Sequence, residues 1–113
     1  MIKFSVLISV YIKETPLFLK EALKSIWDDQ TLKPNEIVIV KDGKLNEELE
    51  QVLDEFSNKA PTTFVSLDKN LGLGLALREG IKHCSFDYVA RMDSDDIAYP
   101  YRFEKQINYL EKK

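Results

Sequence analysis

Phe4-Ser5-Val6-Leu7-Ile8-Ser9-Val10-Tyr11 is the stretch on which the fold turns. It is nearly continuous in apolar, β-branched and aromatic residues, as a strand covered on both faces must be. A strand with one wet face would alternate instead. Glu36-Ile-Val-Ile-Val-Lys41 repeats the signature and ends at Asp42-Gly43, a turn dipeptide. Thr62-Thr-Phe-Val-Ser-Leu67 and Tyr88-Val-Ala-Arg-Met92 read as two further strands.

Helical periodicity fills the intervals. Thr15-Pro16 predicts a helix start, with Thr15 capping and Pro16 at the first helical position. Leu19, Leu23, Ile26 and Trp27 then form one stripe, which Lys33-Pro34-Asn35 terminates. Asn46 caps the next helix, with Glu47 and Glu48 in its positive first turn and Leu49, Val52, Leu53 and Phe56 on its core face. Leu73, Ala76, Leu77, Gly80 and Ile81 mark a third helix, and Phe103, Ile107 and Leu110 a fourth. Alternating buried strands and helices predict an α/β fold with a mostly parallel sheet covered on both faces. Ligands of such sheets sit beyond the carboxyl ends of the strands. That directs attention to 11–14, 42–46, 68–74 and 93–96.

The composition fits this class. In 113 residues, 44% are hydrophobic and 31% charged, which suits one soluble globular domain. No apolar run is long enough to span a bilayer, and no secretory leader is evident. Sixteen Lys and Arg against nineteen Asp and Glu leave a formal charge of −3 without a basic stripe, so nucleic acid is not an expected partner. Cys84 is the one cysteine and cannot form an internal disulfide; it fits a cytoplasmic setting.

Arg91-Met-Asp-Ser-Asp-Asp96 is the sharpest feature. Its clustered carboxylates follow a strand directly and need a counter-charge. In extended geometry Asp93 and Asp95 point the same way, offering hard oxygen ligands to Mn²⁺ or Mg²⁺ completed by substrate phosphates. The plainer alternative is an acidic turn in which Asp96 caps the helix near Pro100. An EF-hand is excluded, because Ala98 stands where its turn needs glycine. Gly72-Leu-Gly74 lacks a third glycine and reads as a loop-to-helix junction. A receiver domain would need an acidic pair after the first strand, where this chain has Val10-Tyr-Ile-Lys-Glu14. Tyr11 and Asp42 share the crevice edge, where a ring can stack on a base and a carboxylate can accept a base N–H.

Ser5 to Tyr11, Ser25-Ile26 with Gln30-Thr31, Pro34 to Gly43, Asn70-Leu-Gly-Leu-Gly-Leu-Ala-Leu-Arg78 and Tyr88 to Ile97 with Pro100 together resemble family 2 glycosyltransferases. The resemblance runs from Phe4 to about Leu110. It implies a Rossmann-like three-layer α/β/α fold, the N-terminal, nucleotide-sugar-binding half of a GT-A domain. It further implies that Tyr11 stacks on the base, Asp42 bonds to it, Glu14 lies on the same side, and Arg78 lies near the diphosphate. Asp93 would hold the ribose side of the donor and Asp95 the metal. The implied chemistry is inverting transfer from a nucleotide-diphospho-sugar, with a UDP-sugar expected, to a glycan or lipid-linked acceptor. That would serve bacterial polysaccharide assembly in the cytoplasm or at the inner face of the membrane.

Lys41 stands where the family usually has Asp, and could approach a phosphate instead; Ser9 and Ile12 replace a common Pro and Asn. The family's acceptor half and general base are expected beyond Lys113, so no catalytic base is assigned and the surface left uncovered would favour self-association. A non-catalytic nucleotide-binding or interaction module is the alternative. His83 is expected to meet the last carbonyls of its helix, Trp27 to lie in the core, Arg91 to pair with an aspartate, and Cys84 to be chemically quiet.

Overall fold

The computed structural model describes residues 2–112. Its elements run β1 (Phe4–Val10), α1 (Pro16–Ile26), β2 (Glu36–Lys41), α2 (Glu47–Ser57), β3 (Thr62–Ser66), α3 (Leu73–Ile81), β4 (Tyr88–Asp93) and α4 (Arg102–Glu111). All three strand pairings are parallel, in the order β3-β2-β1-β4. Every residue of β1 is buried, which is what its continuous apolarity requires.

The pleat divides the core in two. Phe4, Val6, Ile8 and Val10 of β1, with Ile37 and Ile39 of β2, pack against α1, α2 and α4. Leu7, Val38 and Val40 face the other way, against Ala76 and Leu77 of α3. The chain runs outward through β1, β2 and β3 with α1 and α2 on one face. It then returns past β1 to β4 by way of α3 on the other face, as crossovers of constant hand require. The direction reverses between β1 and β4, and that reversal opens a crevice at their carboxyl ends.

Local chemistry explains most boundaries. Asn46 caps α2 by accepting the Leu49 N–H at 2.9 Å. Thr15 holds the extended N-cap conformation, but its side chain makes no capping bond. The α1 helix stops at Ile26, well before Pro34. Asp28 and Asp29 disfavour the negative helix end, and the Asp29 N–H turns back to the Lys24 carbonyl. Trp27 is therefore the C-cap residue, half-buried against the core with the Lys33 ammonium over its ring. The His83 backbone N–H donates to the Gly80 carbonyl, while its side chain is exposed. No helix among the described residues is long and apolar enough to cross a membrane.

Candidate functional site

The crevice is a cavity of about 350 Å³, and the sequence-derived residues Tyr11, Glu14, Asp42, Asp93 and Asp95 all line it. Each arrives from a strand end. Tyr11 directly follows β1, Asp42 follows β2, and Asp93 closes β4. Ser9 of β1 is the register partner of Asp93, which sets the two central strands at the cavity floor. A turn in which the Glu14 N–H donates to the Tyr11 carbonyl at 3.0 Å keeps those two side chains on one wall.

For the opposite wall the sequence points only to the 68–74 segment. The wall is made by Asn70, Gly72 and Leu73. Gly72 is the N-cap of α3, with φ of 92°, so the glycine pair does mark a loop-to-helix junction. The positive end of the α3 dipole thus borders the cavity.

Asp42 is 4% exposed. Its Oδ1 accepts the Leu71 N–H at 2.7 Å and its Oδ2 the Gly72 N–H at 3.2 Å. Lys41 points elsewhere. Alternation puts it on the α2 side with Ile37 and Ile39, where its ammonium lies 2.7 Å from Glu50 Oε1 and 4.4 Å from the centre of the Phe64 ring. The expectation that Lys41 approaches a phosphate is overturned.

Arg78 is exposed on the second turn of α3 and is not among the residues lining the cavity. Arg91 is also exposed and forms no ion pair with an aspartate among the described residues; its carbonyl accepts from Arg102. Cys84 keeps its proton more firmly than usual because of burial and the nearby Glu36 charge, which makes it a poor nucleophile.

The acidic turn is not a helix cap. Tyr101 is the N-cap of α4, and the Asp96 N–H donates to the Asp93 carbonyl at 3.2 Å. The Asp96 carboxyl holds its proton above the ordinary range through desolvation, then through the negative charges of Asp93 and Asp95. The Arg102 guanidinium acts in the opposite sense on Asp96 but does not outweigh these effects. No group of three or more His, Cys, Asp or Glu side chains among the described residues is arranged to hold a metal ion by itself. Asp93 and Asp95 are nevertheless hard oxygen donors on one cavity, a set that suits an ion sharing its coordination with phosphates.

Two residues far off in sequence hold the segment that follows Asp95. The Ser25 hydroxyl accepts the Ala98 N–H at 3.0 Å. Buried Gln30 donates to the Tyr99 carbonyl at 2.7 Å and accepts the Phe103 N–H at 3.3 Å. Spacing alone gave these residues no role. A larger, open apolar groove of about 600 Å³ runs between the β4 edge and α4, past Phe4, Tyr88, Phe103 and Leu110, away from the carboxylates.

A family model described as glycosyl transferase family 2 matches residues 5–113. The Escherichia coli UDP-Gal:alpha-D-GlcNAc-diphosphoundecaprenol beta-1,3-galactosyltransferase is 46% identical over 110 residues, covering 97% of this chain and 40% of that protein. Curated relatives at 46–52% identity are all spanned to only 40–41% of their length. In fold, the chain is similar to S. aureus TarS 1–349 in complex with UDP, with a TM-score of 0.86 at 24% identity, over 98% of this chain and 32% of that one. It is also similar to the mannosyltransferase PcManGT from Pyrobaculum calidifontis in complex with GDP-Man and Mn²⁺, with a TM-score of 0.76 at 21% identity, over 96% and 31% respectively. A parallel sheet of this order, a carboxylate-lined crevice at its reversal point and a family match across nearly every residue lead to one assignment: the chain belongs to glycosyl transferase family 2.

Proposed function

We propose that the crevice binds the nucleoside diphosphate of a nucleotide-sugar, UDP first among them, and that a divalent ion completes the site. One observation carries this reading: Tyr11, Glu14, Asp42, Asp93 and Asp95, from three strand ends, line a single cavity. Tyr11 offers its ring to the base, and Glu14 shares that side. Asp93 faces the ribose side. The first-turn amides of α3, beside Gly72 and Leu73, suit the diphosphate. Arg78 is given no part, since it lies outside the cavity lining.

Asp95, with help from Asp93, would hold Mn²⁺ or Mg²⁺. A bound ion there would neutralise charge developing on the leaving diphosphate. The relative named for UDP-Gal and the neighbour holding Mn²⁺ support the donor and ion types. The reaction we infer for the longer protein is inverting. A base-activated acceptor hydroxyl bonds to the anomeric carbon as the sugar–phosphate bond breaks, and the nucleoside diphosphate leaves with that electron pair. The acceptor is a glycan or a lipid-linked glycan, in line with the diphosphoundecaprenol substrate named for the relative. Such a reaction belongs at the cytoplasmic face of a membrane.

The test is a thermal-shift panel of UDP, GDP, ADP and CDP, each with Mn²⁺. UDP should stabilise most, and the absence of a shift with every nucleotide would overturn the reading.

A further inference from the structure

We propose that Ser25 and Gln30, at the end of α1, are positioning residues for Asp95: they pin the short arch that carries its carboxylate and so set the affinity of the crevice for a divalent ion. The arch is three exposed residues, Asp95, Asp96 and Ile97, between two buried feet, Ser94 and Ala98. Ser94 directly follows β4, and Ala98 packs in the core shared with α1. The Asp96 N–H donates to the Asp93 carbonyl at 3.2 Å and folds the arch over. With both feet fixed, a three-residue span confines Asp95 to the cavity wall.

The second foot is held from α1. The buried Ser25 hydroxyl donates to the Ala22 carbonyl at 2.6 Å and accepts the Ala98 N–H at 3.0 Å. Gln30, also buried, uses both ends of its amide at the same junction. Its nitrogen donates to the Ser25 carbonyl at 2.9 Å and the Tyr99 carbonyl at 2.7 Å, while its oxygen accepts the Phe103 N–H at 3.3 Å. Two carbonyls and one N–H fix the orientation of the amide, because turning it over would set like against like. The Ser25 carbonyl is one that a helix end leaves unpaired, so Gln30 closes α1 and anchors the arch with one side chain. Loss of either side chain frees the foot, and a carboxylate that must be re-ordered holds its ion more weakly.

The proposal rests on the donor-site reading, in which Asp95 takes the ion. The first arm of its test needs no ligand: amide hydrogen exchange by NMR on the wild-type chain and two variants. In Ser25→Ala the Ala98 amide should exchange about tenfold faster, the loss of one buried bond, while the β1 amides of Leu7 and Ile8 stay protected. Gln30→Met, similar in size but with neither donor nor acceptor, should do the same at Phe103, and serves should the alanine variant not fold. The second arm measures Mn²⁺ uptake by electron paramagnetic resonance at saturating UDP. Both variants should bind the ion about tenfold more weakly, the lower end of what lost support of a ligand costs. Glu36→Ala is the control for stability alone. It loses bonds to Ser5 and Ser85 at the amino end of the sheet and should keep the wild-type Mn²⁺ affinity. Unchanged exchange at these amides, or Mn²⁺ affinity no weaker than in Glu36→Ala, overturns the proposal alone. No Mn²⁺ uptake by the wild-type chain overturns the donor-site reading and the proposal with it.

Discussion

Glu36 at the amino end of the sheet and the Asp93, Asp95 and Asp96 cluster at its carboxyl end are treated in opposite ways. At the amino end, Glu36 accepts from the Ser5 hydroxyl at 2.7 Å, the Ser85 N–H at 2.6 Å and the Ser85 hydroxyl at 2.9 Å. Burial alone would raise its proton affinity, but these three bonds outweigh burial and hold the carboxyl below the ordinary range. At the carboxyl end, Asp93, Asp95 and Asp96 crowd together, and Asp96 is pushed the other way. A charge whose partners lie inside the chain stabilises the fold. The cluster at the carboxyl end has only Arg102 as a nearby counter-charge to Asp96, and its Asp93 and Asp95 line the crevice.

The sharpest way to break this contrast is Asp95→Ala. It should abolish the metal-dependent stabilisation by UDP, worth about 2.7 kcal/mol at a hundred times the dissociation constant, and leave the unliganded fold intact. A thermal shift with Mn²⁺ and UDP that survives in the variant would show that the ion, if any, binds elsewhere. Next in size is Glu36→Ala at the other end. It removes the carboxylate that the fully buried Ser5 hydroxyl donates to and should cost about 1–2 kcal/mol near neutral pH, allowing for partial exposure of the carboxylate.

The sign of the pH effect follows from the lowered Glu36 value. Its stabilisation is present above the ordinary carboxylate range and is lost as pH falls through the folded-state value. Urea denaturation of wild type and Glu36→Ala should therefore converge in acid; a gap that persists there would contradict the bonding scheme. Smallest is Asp96→Asn, which relieves the cluster and should raise the melting temperature of the unliganded chain slightly at low salt. The gain should vanish in concentrated salt, where exposed charges are screened. A fall at low salt would mean that the attraction between Asp96 and Arg102 outweighs the repulsion within the cluster.

How far the sequence reached depended on the range of the physics involved. The β1 and β2 strands were legible because burial on both faces removes alternation, and α2 because Asn46 and its leucine stripe are local signals. The end of α1 was misplaced, since the proline at 34 is conspicuous and the charge–dipole conflict of Asp28 and Asp29 is not. Tyr11, Asp42, Asp93 and Asp95 were found together because strand ends converge by topology. Lys41 was misread because one residue of pleat sends it to the α2 side and Asp42 to the cavity. The partners of Asp42 lie 29 and 30 positions away, and those that Ser25 and Gln30 hold are more distant still. No periodicity carries such pairings.

In the function proposed for the crevice, Asp93 and Asp95 take a nucleoside diphosphate together with a divalent ion. A calorimetric titration of the chain with UDP, once in Mn²⁺ and once in EDTA, tests it most directly. Saturable one-to-one binding is expected in Mn²⁺, with affinity weaker by at least about tenfold in EDTA, the equivalent of 1.4 kcal/mol. Equal affinity under both conditions, or no binding under either, would contradict it.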